Sequence, residues 1–165
     1  MSNILAIDPG NFESGWCVID ADDHTPLHFD KTPNDRLRRL ILTGHESVGA
    51  DVVAIEMVAS YGMAVGKEVF ETCVWIGKFS EAVRGSWWPN SDPALVYRRE
   101  VKLHHCHNGS AKDSNIRQSL VDRFATGQPN HGKGTKANPG WFYGFRADVW
   151  QAYALAVYVA DQETP

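Results

Sequence analysis

The sequence is poor in cysteine, has no long apolar run and carries no excess of positive charge. Cys17, Cys73 and Cys106 are odd in number and widely spaced. Three such residues make no disulfide framework, and they suit a reducing compartment. No stretch approaches the roughly 18 apolar residues that span a bilayer, so no membrane partner is expected. The opening MSNILAIDPG lacks a basic segment followed by a long apolar one, so no secretory signal is expected. These absences point to a cytoplasmic protein. The net charge of −4 also removes the simplest sign of nucleic-acid binding, a basic excess over the whole chain. No internal repeat or linker-like segment is apparent.

A length of 165 residues suits one domain, over 1–165, with one core. The charge that is present is unevenly placed. Residues 98–146 hold 9 Lys and Arg against 3 Asp and Glu, whereas residues 1–97 hold 7 against 14. A basic segment in an acidic chain reads either as a phosphate-binding face or as ordinary solvated surface.

The apolar pattern predicts strands over 3–8, 14–20 and 26–32, joined by turns at Pro9-Gly10 and Asp22-Asp23. Asn34 or Asp35 is the expected cap of a helix running to about residue 48, with Leu37, Leu40, Ile41 and Val48 as its stripe. Residues 51–58 form a nearly continuous apolar run, as in a strand buried on both faces. A helix is expected over 67–84, a short strand over 94–97, and helices over 99–106, 113–125 and 147–160. Residues 127–145 are rich in Gly, Pro, Asn and Lys and read as a long loop, functional or mobile. The order implies an α/β fold: a mixed central sheet, three antiparallel strands then parallel ones, flanked by helices.

Three acids stand where acids are costly. Asp8 ends the first strand, Glu56 interrupts the apolar run at 51–58, and Asp148 opens the last helix. Burying an isolated carboxylate costs several kcal/mol unless it is paired, and no Lys or Arg flanks Asp8 or Glu56 in the sequence. A magnesium ion is another partner, since it takes a few carboxylate oxygens plus waters and phosphates. Asp8 also reads as a turn residue before Pro-Gly, and Asp148 as a charge complementing a helix dipole. Glu56 has no such alternative, because strand propensity does not ask for it.

These residues sit in segments that resemble a known family. ILAIDPG followed by SGWCVID resembles the opening of RuvC-type Holliday-junction resolvases, of the RNase H-like superfamily. AIEMV at 54–58 is similar to their second acidic strand, VFETCVWIGKF at 69–79 to the next helix, and ADVWQAYALAVYVA at 147–160 to the closing acidic helix. The resemblance implies Asp8, Glu56 and Asp148 as catalytic metal ligands. Its usual fourth acid falls at Gln151, a neutral amide. It further implies two Mg2+ ions, with Mn2+ able to substitute, and paired nicks in a four-way DNA junction that leave 5′-phosphate and 3′-hydroxyl ends. A homodimer formed through the helix near 67–84 is implied too, as is a bacterial or phage source.

Other residues carry two readings each. Asp113 is an accessory acid or the cap of the helix that follows it. Lys112 stabilises charge near a scissile phosphate or is an exposed lysine. Lys102, Arg117, Lys133 and Lys136 are DNA contacts or plain surface charge. Tyr61 stacks on a base at the junction centre or packs in its loop. Trp141, Phe142, Tyr143 and Phe145 stack on DNA or, for most of them, pack over the core. The run His104, His105, Cys106, His107 has poor spacing for zinc. The competing functions are a branched or flap DNA nuclease of relaxed selectivity and a non-catalytic junction-binding protein.

Overall fold

The structure is a computed structural model that describes residues 2–89 and 92–163. The strands are β1 (Asn3–Asp8), β2 (Glu13–Asp20), β3 (Pro26–Pro33), β4 (Val52–Met57) and β5 (Ala94–Tyr97). The helices are α1 (Asn34–Leu42), α2 (His45–Val48), α3 (Lys67–Arg84), α4 (Arg98–Cys106), α5 (Asp113–Phe124) and α6 (Val149–Glu163). The strands form one sheet in the order β3-β2-β1-β4-β5. β1 pairs antiparallel with β2 and β2 with β3, while β4 runs parallel to β1 and β5 parallel to β4. This is the mixed sheet that the element order implies.

Both faces of the sheet are covered, which explains why β1 and β4 are apolar on both sides. Leu5, Ile7, Val53 and Ile55 face α1 and α3, packing on Leu37, Ile41, Ile76 and Phe79. Ile4, Ala6, Cys17, Ile19 and Ala54 face α6. That helix is buried nearly all round, from Val149 to Ala160, because α4, α5 and the long loop cover its outer side. A helix apolar all round is a buried helix.

Two local expectations need correcting. The helix expected to reach residue 48 ends at Leu42; Thr43 and Gly44 interrupt it, and His45–Val48 forms a separate turn. Pro33 rather than Asn34 or Asp35 occupies the cap position. Asn34 cannot cap, because its side chain is used elsewhere: Oδ1 accepts from Ser14 Oγ at 2.6 Å and Nδ2 donates to the Gly10 carbonyl at 2.8 Å. Likewise Asp113 is the first residue of α5 and Lys112 its cap; the Lys112 N–H donates to Asn115 Oδ1 at 2.9 Å.

The loop over 127–145 is pinned by its aromatics. Phe142 and Phe145 are fully buried, 4.7–5.4 Å from the rings of Trp150 and Tyr153. Trp141 stacks on Phe124, and its indole N–H donates to the Tyr153 hydroxyl at 3.0 Å. Packing is therefore the role of these three, while Tyr143 stays partly exposed.

Candidate active site

Parallel pairing sets Ile7 opposite Ile55, so the next residues, Asp8 and Glu56, lie side by side. They share strand parity with Ala6 and Ala54, which face α6, and successive side chains alternate faces. Both acids therefore point to the α6 side. Asp148 arrives there from the residue before α6. What admits it is Gly15, the cross-strand partner of Asp8. A Cβ on Gly15 would stand 2.7 Å from both the backbone carbonyl carbon and the Cβ of Asp148. Only a residue without a side chain lets the chain approach β2 this closely.

The acids disturb one another. Burial pushes the Asp8 carboxyl well above the ordinary carboxylate range; the charge of Glu56, a hydrogen bond with it and the charge of Asp148 add to the rise, and Arg98 opposes it. Glu56 is itself buried. A buried acid beside a second acid favours a shared proton or a cation between them.

Cations do reach the site, from positions that sequence proximity does not reveal. Arg98, the first residue of α4, places Nε 2.8 Å from Glu56 Oε1 and Nη1 3.9 Å from Asp113. The Arg98 Nε–H is buried without a hydrogen-bond acceptor, so the contact with Glu56 is a charge contact rather than a directed hydrogen bond. Burial works against the Arg98 charge, and Glu56, Asp8 and Asp113 outweigh it. Lys31, opposite Gly15 in β3, sets Nζ 2.8 Å from Asp148 Oδ2 and 3.7 Å from Glu13. The hydrogen bond to Asp148 is the main reason its pKa is raised.

Among the described residues, no group of three Asp, Glu, His or Cys side chains is gathered as a metal cage. Asp148 is turned to Lys31, and Glu56 to Arg98. The Asp8–Glu56 pair nevertheless has the donor chemistry a divalent cation takes: adjacent carboxylates, one of them held well above its usual pKa.

A cavity of about 280 Å³ opens over this pair, with Met57, Tyr61, Val69 and Arg98 among its walls. Tyr61 is exposed at its mouth. Asp113 joins the acids through Arg98, and Lys112 lies exposed beside it. Gln151 lies three residues beyond Asp148 on α6 and is half-buried. Lys102 lines a neighbouring cavity. Arg117 lies 5.1 Å over the Trp150 ring. Lys133 and Lys136 sit in the long loop. The histidine run disperses: His104 meets Asp161 at 2.6 Å, and His105 Nε2 lies 2.8 Å from the Ala154 carbonyl. Burial lowers the His105 pKa to about 4.

Arg98, Lys31 and Gly15 are the site residues that sequence reasoning missed. Strand alternation alone would set Gly15 in phase with Cys17 and Ile19 on the face that receives α6. The element order implies the parallel strands, but nothing local in the sequence announces that their register carries Arg98 to Glu56.

No family model matches the chain, and no curated protein matches its sequence. Solved structures do match. A Thermus thermophilus RuvC structure aligns with a TM-score of 0.69 at 16% identity, covering 98% of this chain and 97% of that one. T. thermophilus RuvC in complex with a Holliday junction substrate aligns with a TM-score of 0.67 at 13% identity, covering 96% and 92%. Over nearly its whole length the chain therefore has the RuvC-type, RNase H-like fold.

Proposed function

We propose that the protein is a divalent-metal-dependent DNA endonuclease that resolves four-way junctions. The observation that carries this reading is the coincidence of two things. The fold is that of a protein solved on a Holliday junction, and at the ends of its parallel strands two carboxylates lie side by side, one of them raised well above its ordinary pKa by burial and by its acidic neighbour. A strongly perturbed acid beside a specific charged partner in a cleft is a functional-site candidate.

In this reading Asp8, Glu56 and Asp148 are the residues that hold Mg2+, or Mn2+ in its place. When bound, the ions supply an activated water and stabilise the leaving oxygen of a phosphodiester. Asp8 and Glu56 bring adjacent oxygens from two rigid strands, and Gly15 keeps Asp148 against them. Arg98 and Lys31 balance the acids. The cavity walls shield the acids from bulk water.

Paired nicks across a junction need two sites related by a two-fold axis, hence a homodimer. Phe70 and Val74, one turn apart on α3, are exposed apolar side chains, which supports α3 as the surface between subunits.

The test is incubation with a labelled four-way junction and a matching linear duplex in magnesium. Selective cutting of the junction is expected. Equal cutting of both would overturn the structure-selective reading. Binding without cutting in any divalent metal would overturn the enzyme reading in favour of a junction-binding protein. A thermal-shift titration with Ca2+ gives a readout independent of turnover. The melting temperature rises as the ion loads the folded state, and it does not move in Asp8→Asn.

A further inference from the structure

Two arginine–carboxylate pairs in this molecule are built differently. Arg123 donates two directed hydrogen bonds to Asp161, at 2.7 and 2.9 Å. Arg98 sets Nε 2.8 Å from Glu56 Oε1, yet that buried N–H has no acceptor. A buried donor left without its hydrogen bond is costly, so the Arg98 contact has the charge of an ion pair without its geometry.

Arg98 also has room and a second partner. Its side chain walls the acid cavity and an adjoining one that Tyr61 and Arg99 share, each of about 280 Å³, so neither side of it is packed solid. Its Nη1 lies 3.9 Å from Asp113 Oδ1. Glu56 is buried, whereas Asp113 is exposed at the start of α5. The guanidinium therefore stands between an inner carboxylate and an outer one.

We propose that Arg98 is a positioning residue with two seats: on Glu56 it competes with a divalent cation for that carboxylate, and on Asp113 it leaves Glu56 to the cation. The proposal rests on the metal-dependent reading above. A guanidinium and a divalent ion beside the same acid repel each other, so loading the ion drives Arg98 outward. Glu56 has a cationic partner in either state, which spares the fold a bare buried carboxylate. Asp113 then acts through Arg98 and is not a metal ligand.

The test reads ion binding and not turnover. Mn2+ is titrated into the full chain without DNA, and the EPR signal of the free ion gives the affinity. Arg98→Gln tightens binding by about tenfold, the order expected when a unit charge next to a divalent ion is removed. Arg99→Gln removes the same charge from the exposed neighbouring residue and changes the affinity by less than about threefold in physiological salt, which screens it. Asp113→Asn takes away the outer seat and weakens binding by about threefold or more, since the outer seat loses a charge-assisted contact. Asp113 is exposed, so this variant tests the latch without disturbing a buried group. The double variant of Arg98→Gln and Asp113→Asn binds as tightly as Arg98→Gln alone, because the second residue acts only through the first.

Unchanged or weaker binding in Arg98→Gln overturns the proposal, and so does unchanged binding in Asp113→Asn. A double variant weaker than Arg98→Gln also overturns it, since Asp113 would then be a ligand in its own right. Any of these in a chain that binds Mn2+ and cuts junctions leaves the nuclease reading standing. No Mn2+ binding in any form overturns the latch and the metal-dependent reading together.

Discussion

Asp148 and Asp161 stand at opposite ends of α6, roughly 20 Å apart along its axis, and each end gathers charged groups. At the far end, burial alone would raise the Asp161 carboxyl. Instead Arg123 donates two hydrogen bonds, at 2.7 and 2.9 Å, and His104 and His24 lie at 2.6 and 3.0 Å. Together they hold Asp161 far below the ordinary carboxylate range. At the near end, burial raises Asp8 in the same way, but the group hydrogen-bonded to it is another carboxylate, Glu56, and the rise is reinforced. The burial penalty has one sign at both ends; the neighbours decide the outcome. A carboxylate ringed by donors is a brace between α4, α5 and α6. A carboxylate pressed against its own kind burdens the fold and is positioned to take a cation.

The comparison breaks most visibly in cleavage. Asp8→Asn and Glu56→Gln should each lower junction cleavage by roughly 10³-fold or more, at the upper end for losing one electrostatic stabiliser, with junction binding retained. Asp161→Asn should leave cleavage within a few-fold of wild type. Activity retained in Asp8→Asn would remove that acid from the site.

Gly15→Ala comes next. Its added methyl meets the Asp148 backbone and Cβ at 2.7–2.8 Å, and overpacking of this kind costs about 1–3 kcal/mol. Chemical denaturation should read that loss, and cleavage should fall with it because Asp148 is displaced. Unchanged stability and cleavage together would show that the close approach is not needed.

Stability against pH separates the two ends of α6 by sign. The raised Asp8 holds a proton in the folded state that the unfolded chain releases near the ordinary value of 3.8. Its burden is absent at low pH and appears as pH rises through the folded pKa. Asp8→Asn should therefore be more stable than wild type at neutral pH and lose that advantage in acid. The lowered Asp161 works in reverse. Its contribution is present above the ordinary carboxylate value and is lost as pH falls through the folded pKa. Asp161→Ala should cost about 2 kcal/mol at pH 7, the scale of hydrogen bonds to charged groups, or roughly 4–8 °C in melting temperature. Melting curves at pH 2.5 and pH 7.5 on both variants check the signs; parallel behaviour of the two would refute the contrast.

The smallest effect is expected at Gln151. Gln151→Glu places a further carboxylate one helical turn past Asp148 and should tighten Mg2+ binding by less than about tenfold, within the range of supporting residues around a metal. The midpoint of a thermal-shift titration reads it, and a weaker midpoint would place position 151 outside the site.

How far the sequence could be read depends on how local each signal is. β1, β4 and α6 announce themselves through nearly continuous apolar runs, and Glu56 stands out within one of them. The resemblance of ILAIDPG, AIEMV and ADVWQAYALAVYVA supplied Asp8 and Asp148 on ordered pieces of sequence, and the fold they implied is the fold observed. The end of α1 was read too late, because Leu40, Ile41 and Val48 keep helical spacing across the break at Thr43. Asn34 looked like a cap, yet its amide braces the turn after β1, and no local pattern distinguishes those two uses.

What the sequence by itself determined is the sheet, its two apolar faces and the chain positions of three costly acids, since alternation, breakers and burial follow from neighbours a few residues apart. What only the tertiary structure decided is the company those acids keep. Arg98 meets Glu56 because β5 lies parallel beside β4. Lys31 meets Asp148 because β3 registers on β2 opposite Gly15. Arg123, from α5, meets Asp161 because α5 packs against α6. Ion pairs and pKa values depend on distances of a few ångströms between residues far apart in the chain, and those distances exist only once the sheet has closed its register and α6 has settled on its face.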